Sequence, residues 1–327
     1  MLSFQELSAR FEEKFNQRLF PAEPPALYDA AHYILDLGGK RIRPLLCLMG
    51  NELFNDISQD AYHVATAIEL FHNFTLLHDD IMDKAPLRRG KPTVHKKFNE
   101  STALLAGDVM LVRAYEYLNK VDTLYIHKIM DIFNKMAREV CEGQQIDMIL
   151  EQRDSLSMEN NVSMNEYLQM ITLKTSVLLG AALQCGAILG GAGRGNQELI
   201  YNFGKNLGIA FQVQDDYLDA FGDPEKFGKQ PGGDILANKK TFLLIRAFDT
   251  ADKNQKKALL EIMDQDSGEK VSNVLQIYKE CKVEEWAVDL KKEYMGQALN
   301  DLEEIAVISV RKNRLRELAE FLLNRDI

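Results

Sequence analysis

Two clusters of aspartates share the spacing Asp-Asp-x-x-Asp and are the residues of this sequence best suited to chemistry. They comprise Asp79, Asp80 and Asp83 in the first cluster and Asp215, Asp216 and Asp219 in the second. In an α-helix the first and last acids of such a cluster lie on one face, one turn apart. Mg²⁺ prefers oxygen ligands, keeps several waters and is usually completed by substrate phosphates. The spacing therefore predicts two magnesium-binding helix ends that face each other, hold two or three ions and clamp a polyanion.

A cluster of acids on a helix is also typical of a solvated surface, and a single cluster would favour that interpretation. Here the cluster occurs twice, and both copies follow apolar helical stretches. Like charges that are held together repel one another unless a cation binds there or water surrounds them. The repeat favours the metal-site interpretation for both clusters.

Basic side chains that could contact phosphate oxygens lie around both clusters. They are Lys40, Arg43, Arg88, Arg89, Lys174, Lys229 and Lys239. Lys174 interrupts an apolar helical stretch, where an ammonium group needs a partner. Gln212 lies three residues before the second cluster and can donate an amide hydrogen bond to a phosphate oxygen. This inventory indicates a ligand that is anionic at one end and hydrocarbon at the other, which is the character of a prenyl diphosphate.

The elements that position these residues are predicted to be α-helices. Apolar residues recur at the helical period almost throughout, and no alternating strand or tight hairpin pattern is found. The predicted helices span residues 2–20, 27–37, 43–53, 61–82, 101–119, 124–151, 164–190 and 196–220, with further helices from about 240 to the end. Ser163 and Glu166 form a predicted capping box. Polar or breaker-rich loops are predicted at 83–92, 154–161 and 222–233.

No linker or shift in composition marks a boundary, so we expect one all-α domain over residues 1–327. The net charge of −10 argues against a nucleic-acid partner. The four cysteines are scattered, which is typical of buried thiols in a reducing compartment, and the N-terminus has no signal-peptide pattern. A cytoplasmic protein is expected. The most apolar stretch, residues 177–193, is rich in small residues, and we interpret it as a packed core helix and not as a transmembrane segment.

The motifs that carry these residues resemble those of the trans-isoprenyl diphosphate synthases, the polyprenyl synthetase family. In chain order they are GGKRIRP (38–44), FHNFTLLHDDIMDKAPLRRGKPT (71–93), AGD (106–108), EGQQID (142–147), LKT (173–175), FQVQDDYLDAFGD (211–223) and GKQPGGDILANKKT (228–241). They run in family order over residues 38–241, and the helical C-terminal third fits as well. Their combination is highly specific.

The resemblance implies antiparallel helices around a deep central cavity, a homodimer, and a reaction that uses two or three Mg²⁺ ions per active site. An allylic diphosphate loses its diphosphate to the metals, and the double bond of isopentenyl diphosphate attacks the resulting carbocation. A proton then leaves. This chemistry agrees with the inventory of acids, cations and apolar helices, because metals and cations stabilise the negative charge that builds on the leaving diphosphate.

Site residues follow from the resemblance motif by motif. The implied magnesium ligands are Asp79, Asp83 and Asp215, and the acids that complete the two clusters are Asp80, Asp216 and Asp219. The implied allylic-site residues are Arg88, Lys174, Thr175, Gln212, Lys229 and Lys239, and the implied isopentenyl diphosphate residues are Lys40, Arg43, His72 and Arg89. The spacing from Lys229 to Lys239 is about one residue longer than in some relatives. Lys239 and Lys240 are therefore both candidates for the last allylic contact.

Product length is expected to depend on the residues four and five before the first aspartate, Thr75 and Phe74, together with Phe71. A bulky Phe74 argues against long products, and Thr75 leaves more room than a second aromatic residue would. The resemblance therefore implies a C20 product, with C15 as the next candidate. On a helical wheel Thr75 lies near the face of the aspartates whereas Phe74 points away from it. Simple core packing is the alternative interpretation of Phe71 and Phe74.

Two other functions are compatible with part of this pattern. A class I terpene cyclase shares the fold and the first acidic motif, but its second metal motif is usually of an Asn/Ser/Glu type. A non-catalytic subunit of a heteromeric prenyl synthase would tend to lose its aspartates, and all six are present here. Both features favour chain elongation.

Overall fold

Helices account for nearly all the regular structure in the computed structural model of the chain, which describes residues 2–16, 19–153, 162–222, 232–264 and 267–323. They are α1 (Phe4–Phe15), α2 (Pro25–Asp36), α3 (Ile42–Phe54), α4 (Gln59–Met82), α5 (Val94–Lys97), α6 (Glu100–Leu118), α7 (Thr123–Gln152), α8 (Met164–Ile171), α9 (Val177–Leu189), α10 (Arg194–Phe221), α11 (Gly233–Leu236), α12 (Phe242–Thr250), α13 (Lys253–Met263), α14 (Lys270–Glu280), α15 (Val283–Glu304) and α16 (Ser309–Leu323). The all-α prediction is confirmed. A π-helical turn, Thr172–Ser176, joins α8 to α9.

Most predicted helix bounds agree with the structure to within two residues, because apolar periodicity and caps fix them. The capping box of Ser163 and Glu166 at the start of α8 is confirmed. The first helix is shorter than predicted and ends at Phe15, where residues 2–20 were expected to be helical. The loop predicted at 154–161, and most of the loop predicted at 222–233, lie outside the described residues.

A short hairpin, which the sequence did not predict, lies in the polar segment after α4. Strands β1 (Leu87–Arg88) and β2 (Lys91–Pro92) pair antiparallel. The two residues of the turn, Arg89 and Gly90, have φ of 53° and 75°, as a type I′ hairpin turn requires. Arg-Gly is not a usual turn pair, and strands of two residues show no alternation. The expectation of no hairpin was therefore wrong.

The chain forms two compact units. The first unit comprises Met1–Lys135, Ala181–Tyr201 and Ile305–Arg314, and the second comprises Met136–Gly180, Asn202–Glu304 and Leu315–Ile327. The single domain over residues 1–327 stays a prediction.

In the first unit α4 packs against α3 and α6, and α3 lies directly against the part of α9 that belongs to this unit. A Cβ atom at Gly50 would lie 2.3 Å from the carbonyl oxygen of Leu183, and one at Gly186 would lie 1.9 Å from that of Cys47. Real Cβ atoms do not approach backbone this closely, so glycine permits this helix contact.

The apolar segment at 177–193 contains the buried core helix α9, as predicted, and this helix ends at Leu189. Within the described residues, one helical stretch, Met164–Leu189, is long and apolar enough to cross a membrane, and 72% of its most apolar window is buried inside the protein. Core helices of soluble proteins meet the same criteria of length and composition.

In the second unit, α12 lies in a core with α8, α10, α14 and α15, in which Phe242 and Tyr278 are fully buried. This core supports the helices that carry the second acidic cluster and Lys174. The four cysteines form no disulfide, and only Cys47 and Cys185 are buried. Cys141 is exposed and Cys281 is half-buried, so the expectation of four buried thiols was wrong.

Candidate functional site

The first acidic cluster ends α4, and its three aspartates have different environments. Asp80 is 2% exposed and accepts two hydrogen bonds of 2.8 Å from Arg88, one from Nε and one from Nη2. Asp79 is half-buried, and Asp83, at the C-cap of α4, is exposed. A bidentate guanidinium–carboxylate pair is strong and directional. Asp80 therefore anchors the hairpin that carries Arg88, while the outer acids, Asp79 and Asp83, are more accessible to a metal ion.

The residues predicted to bind isopentenyl diphosphate cluster in the same unit. Nη1 of Arg43 lies 3.0 Å from Nε2 of His72. The guanidinium of Arg89 lies over Gly39. A Cβ atom at Gly39 would lie 2.8 Å from Nη2 of Arg89. Lys40 follows this glycine directly. The structure thus brings the guanidinium groups of Arg43 and Arg89 close to the imidazole of His72.

His72 is neutral at pH 7. Burial lowers its pKa well below the ordinary 6.5, and the guanidinium groups of Arg43, Arg89, Arg88 and Arg41 lower it further. A guanidinium can only donate, so Nε2 of His72 accepts the bond from Arg43 and the ring proton lies on Nδ1. His72 therefore holds Arg43 without adding a positive charge of its own.

We expect His72→Gln to reduce the loss of stability below pH 6.5. In that range the unfolded chain binds a proton at His72 that the folded chain does not. The free energy of unfolding of the wild type therefore decreases as the pH decreases, by up to about 1.4 kcal/mol per pH unit. Glutamine keeps an acceptor for Arg43 and does not titrate. Urea unfolding of both proteins between about pH 5 and 7 measures the difference. Equal slopes would contradict the lowered pKa.

Arg41, inside the basic motif at 38–44, has a structural role that the sequence did not reveal. Its φ is 48°, in the left-handed region, and its side chain is 7% exposed. Its guanidinium donates to Oε1 of Glu69 and to the carbonyl oxygen of Leu35, and Asn73 also donates to Oε1 of Glu69. This buried network fixes the segment that presents Lys40 and Arg43.

The second acidic cluster, near the end of α10, repeats the arrangement of the first. Asp216 is 4% exposed, and it accepts hydrogen bonds from the hydroxyl of Tyr167 (2.6 Å) and from Nε2 of Gln212 (2.9 Å). Burial raises its pKa to about 6, although Lys239, Tyr167 and Gln212 oppose the shift. Asp215 is half-buried. In both clusters the middle acid is therefore buried and held by protein donors.

This placement changes the interpretation of two predicted residues. Gln212 donates one of its two amide N–H groups to Asp216, so its predicted contact with a phosphate would use the second. Asp216 commits both oxygens to protein groups, which favours a supporting role over direct metal binding. Asp219 accepts the backbone N–H of Asp234 at 2.8 Å and so ties the start of α11 to α10. Tyr167, in α8, was missed because nothing in the sequence links it to a residue 49 positions away.

The structure distinguishes Lys239 from Lys240. The ammonium of Lys240 donates to the carbonyl oxygens of Leu150, Glu151 and Arg153, at the end of α7, which is a favourable place for a cation. Nζ of Lys239 lies 3.6 Å from Oδ1 of Asp234. Burial lowers the pKa of Lys239, but Asp216, Asp234 and Asp147 outweigh it and raise the pKa to about 12. This arrangement favours Lys239 as the charged group beside the second cluster. Lys229 lies outside the described residues.

Lys174 and Thr175 lie on the π-helical turn, and such turns are frequent at functional sites. Lys174 needed a partner, and Asp147 on α7 is ion-paired with its ammonium. A Cβ atom at Gly143 would lie 2.2 Å from the backbone nitrogen of Lys174. Gly143 thus lets α7 touch the π-turn, and Asp147, one helical turn later, holds the ammonium. Both residues belong to the motif at 142–147, whose role the sequence left open.

The predicted length-determining residues differ in burial. Phe71 is 1% exposed and packs edge-on against Phe133, with ring centroids 5.4 Å apart. Phe74 and Thr75 are half-buried, and the hydroxyl of Thr75 donates to the carbonyl oxygen of His72. Core packing therefore explains Phe71, whereas Phe74 keeps part of its ring accessible.

The donor set fits Mg²⁺. Within the described ranges, no three carboxylate, imidazole or thiolate groups converge to form a closed metal cage. Mg²⁺ does not need one, because it is usually bound by one or two carboxylates, waters and substrate phosphates. In the first unit Asp79 and Asp83 would supply such carboxylates, and in the second unit Asp215 would supply one.

Comparisons with known proteins show the family to which the chain belongs. The sequence model of the Polyprenyl synthetase family matches residues 24–281. A geranylgeranyl pyrophosphate synthase of Geoglobus acetivorans is 39% identical over 319 residues, which cover 96% of this chain and 95% of the relative. A crystal structure of a geranylgeranyl pyrophosphate synthase is 43% identical, covers 99% of each chain and superposes with a TM-score of 0.88.

A polyprenyl synthase from Caulobacter crescentus, crystallised with calcium and isoprenyl diphosphate, is more distant. It is 27% identical, covers 99% of this chain and 96% of its own, and has a TM-score of 0.84. The family match spans well over half of the chain, and the relatives cover nearly all of it. The chain therefore belongs to the Polyprenyl synthetase family of trans-prenyltransferases.

Proposed function

We propose that this enzyme condenses isopentenyl diphosphate with the allylic diphosphates dimethylallyl, geranyl and farnesyl diphosphate and releases a C20 all-trans product, geranylgeranyl diphosphate. The repeated acidic cluster is the observation that carries the proposal, because in both copies the middle acid is anchored and an outer acid is left more accessible. The names of two relatives, at 39% and 43% identity, support the C20 product.

The outer acids Asp79, Asp83 and Asp215 are the proposed magnesium ligands. When bound, Mg²⁺ supplies positive charge to the diphosphate group that leaves the allylic substrate. Lys174 and Lys239 add fixed cations of their own, and preorganised charge of this kind is usually the largest catalytic contribution. Asp147 and Asp234 hold these lysines before the substrate arrives.

In the condensation the allylic carbon–oxygen bond breaks, and its electron pair leaves with the diphosphate. The double bond of isopentenyl diphosphate supplies the electrons of the new carbon–carbon bond, and a proton leaves the isopentenyl unit. Lys40, Arg43, His72 and Arg89 are the proposed ligands of the isopentenyl diphosphate. His72 takes part as a neutral acceptor that orients Arg43.

Incubation with labelled isopentenyl diphosphate, each allylic primer and Mg²⁺, followed by analysis of product length, tests this function. We expect label to enter a C20 diphosphate from all three primers. Release of a hydrocarbon without incorporation of isopentenyl diphosphate would indicate a terpene cyclase. An absence of turnover with every primer would indicate a non-catalytic subunit.

Phe74→Ala is expected to lengthen the product. The partly accessible ring of Phe74 lies five residues before the acidic cluster, and its removal opens space for additional isoprene units. Product analysis by chromatography should show C25 and longer chains beside or in place of C20. Phe11→Leu serves as a control that should leave the product at C20, because it removes a fully buried ring of α1 that packs against Phe15. A folded, active Phe74→Ala enzyme that still makes only C20 would remove Phe74 from the account.

A cytoplasmic homodimer is the form that we propose for the enzyme. Four cysteines that form no disulfide suit a reducing compartment. Leu105 and Val112 are more than half exposed and lie seven residues apart, and so on one face of α6. An exposed apolar face of this kind supports an interface with a second copy.

A further inference from the structure

His78 immediately precedes the first acidic cluster, and α6 holds the tip of its imidazole. Nε2 of His78 lies 3.1 Å from the carbonyl oxygen of Leu104 and 3.8 Å from Oδ1 of Asp108. A carbonyl oxygen can only accept a hydrogen bond. Nε2 therefore carries a proton and donates a hydrogen bond to the carbonyl oxygen of Leu104. The side chain is 16% exposed. The imidazole therefore has one fixed orientation on the surface of α6.

The imidazole of His78 packs directly against the backbone of Gly107. A Cβ atom at Gly107 would lie 2.3 Å from Nε2 and 2.5 Å from Cδ2 of His78. Only a residue without a side chain allows the imidazole to lie this close to α6. The atoms that a methyl group would meet belong to the end of a side chain, so alanine here would displace the imidazole and leave the two helices in place.

The imidazole of His78 also contacts Phe74, on its own helix. The ring centroids of His78 and Phe74 are 4.6 Å apart at an interplanar angle of 64°, which is an edge-to-face contact. On its other side Phe74 lies 5.6 Å from Phe71, which belongs to the core. Phe74 is therefore held between a ring that the core fixes and a ring that Gly107 fixes.

We propose that His78, seated on Gly107, is a positioning residue that fixes the ring of Phe74 and thereby sets the length of the prenyl product. This inference rests on the proposed function and gives a role to the motif at 106–108. Neither His78 nor Gly107 has to touch the substrate. Their effect passes through the position of the Phe74 ring.

His78→Ala is the first test, with product length as the readout. Without its neighbour, the Phe74 ring can turn into the vacated space, and the ratio of C25 and longer products to C20 should rise about three- to tenfold. His63→Ala is the matched control, because His63 also lies on α4 and faces an aromatic ring, that of Tyr117 at 6.2 Å. This control should leave the ratio unchanged. Circular dichroism and thermal melting establish that each variant is folded.

The Gly107→Ala variant gives a second test if His78→Ala is poorly folded. Displacement of the imidazole should change the product ratio by about twofold or more, and the change should vanish in the His78→Ala background, where no imidazole remains to be displaced. In the same way, His78→Ala should not change the product length of the Phe74→Ala variant. A merely structural role for His78 would change stability without this dependence on Phe74.

The outcomes separate this inference from the function on which it rests. If the wild-type enzyme does not incorporate isopentenyl diphosphate, the proposed function fails and the inference fails with it. If the wild type makes C20 and the folded His78→Ala and Gly107→Ala variants make the same product, only the inference is overturned. It is also overturned if His78→Ala lengthens the product equally in the Phe74→Ala background.

Discussion

Gly143→Ala should lower kcat/KM for the allylic substrate about 100-fold, because a displacement near 1 Å at a catalytic group has an effect of this size. The new methyl group would lie 2.2 Å from the backbone nitrogen of Lys174 and 2.7 Å from the carbonyl carbon of Leu173. Both are backbone atoms and cannot rotate away. Helix α7 must therefore move off the π-turn, and the ion pair between Asp147 and Lys174 must lengthen or break.

Steady-state kinetics with geranyl diphosphate and isopentenyl diphosphate measure this effect, and urea unfolding measures the cost of overpacking, about 1–3 kcal/mol. Gly296→Ala is the matched control, since a Cβ atom at Gly296 in α15 would have no neighbour within 4 Å. A Gly143→Ala enzyme with wild-type kinetics would show that the position of Lys174 does not depend on this contact.

Glu69→Ala should destabilise the protein by about 3–5 kcal/mol, because it leaves the buried guanidinium of Arg41 without its carboxylate. The side chains of Arg41 and Glu69 are 7% and 4% exposed, so water cannot readily replace the lost partner. Asn73 would lose a bond to Glu69 at the same time. We also expect a higher KM for isopentenyl diphosphate, because Arg41 lies between Lys40 and Arg43.

Chemical denaturation of Glu69→Ala and of the double variant Arg41→Met/Glu69→Met distinguishes a charge effect from a packing effect. Replacement of both partners by apolar side chains is often nearly neutral, so the double variant should be the more stable of the two. Glu198→Ala is the control, because its partner Arg194 is 92% exposed and such pairs contribute about 1 kcal/mol or less. A loss below about 1 kcal/mol in Glu69→Ala would contradict a buried charge pair at this position.

The acidic clusters were predictable from the sequence because helical spacing alone determines which of their acids share a face. The burial of the middle acids also has a sequence signal. Asp216 continues the apolar stripe of Ile209 and Val213, and Asp80 is three residues after the buried Leu77. An acid on an apolar stripe is expected to be buried and to need a donor. This pattern distinguishes the middle acids from the outer ones.

Other parts of the site depend on contacts between distant segments and could not be predicted from periodicity. Asp147 and Lys174 are 27 residues apart, and no spacing rule connects them. The π-turn adds one residue to a helical turn without any breaker in the sequence. The roles of Gly107 and Gly143 depend on what lies opposite each glycine, which only the packed structure defines.

Calorimetric titration with inorganic diphosphate tests most directly whether the aspartates bind diphosphate through Mg²⁺. The wild type should bind with Mg²⁺ present and should not bind with EDTA. Asp79→Asn should bind at least about tenfold more weakly, because it removes a metal ligand. Asp131→Asn, which changes an exposed acid on α7, should bind as the wild type does. Binding that persists in EDTA, or that is equal in Asp79→Asn and the wild type, would contradict the assignment of this cluster to Mg²⁺ and diphosphate.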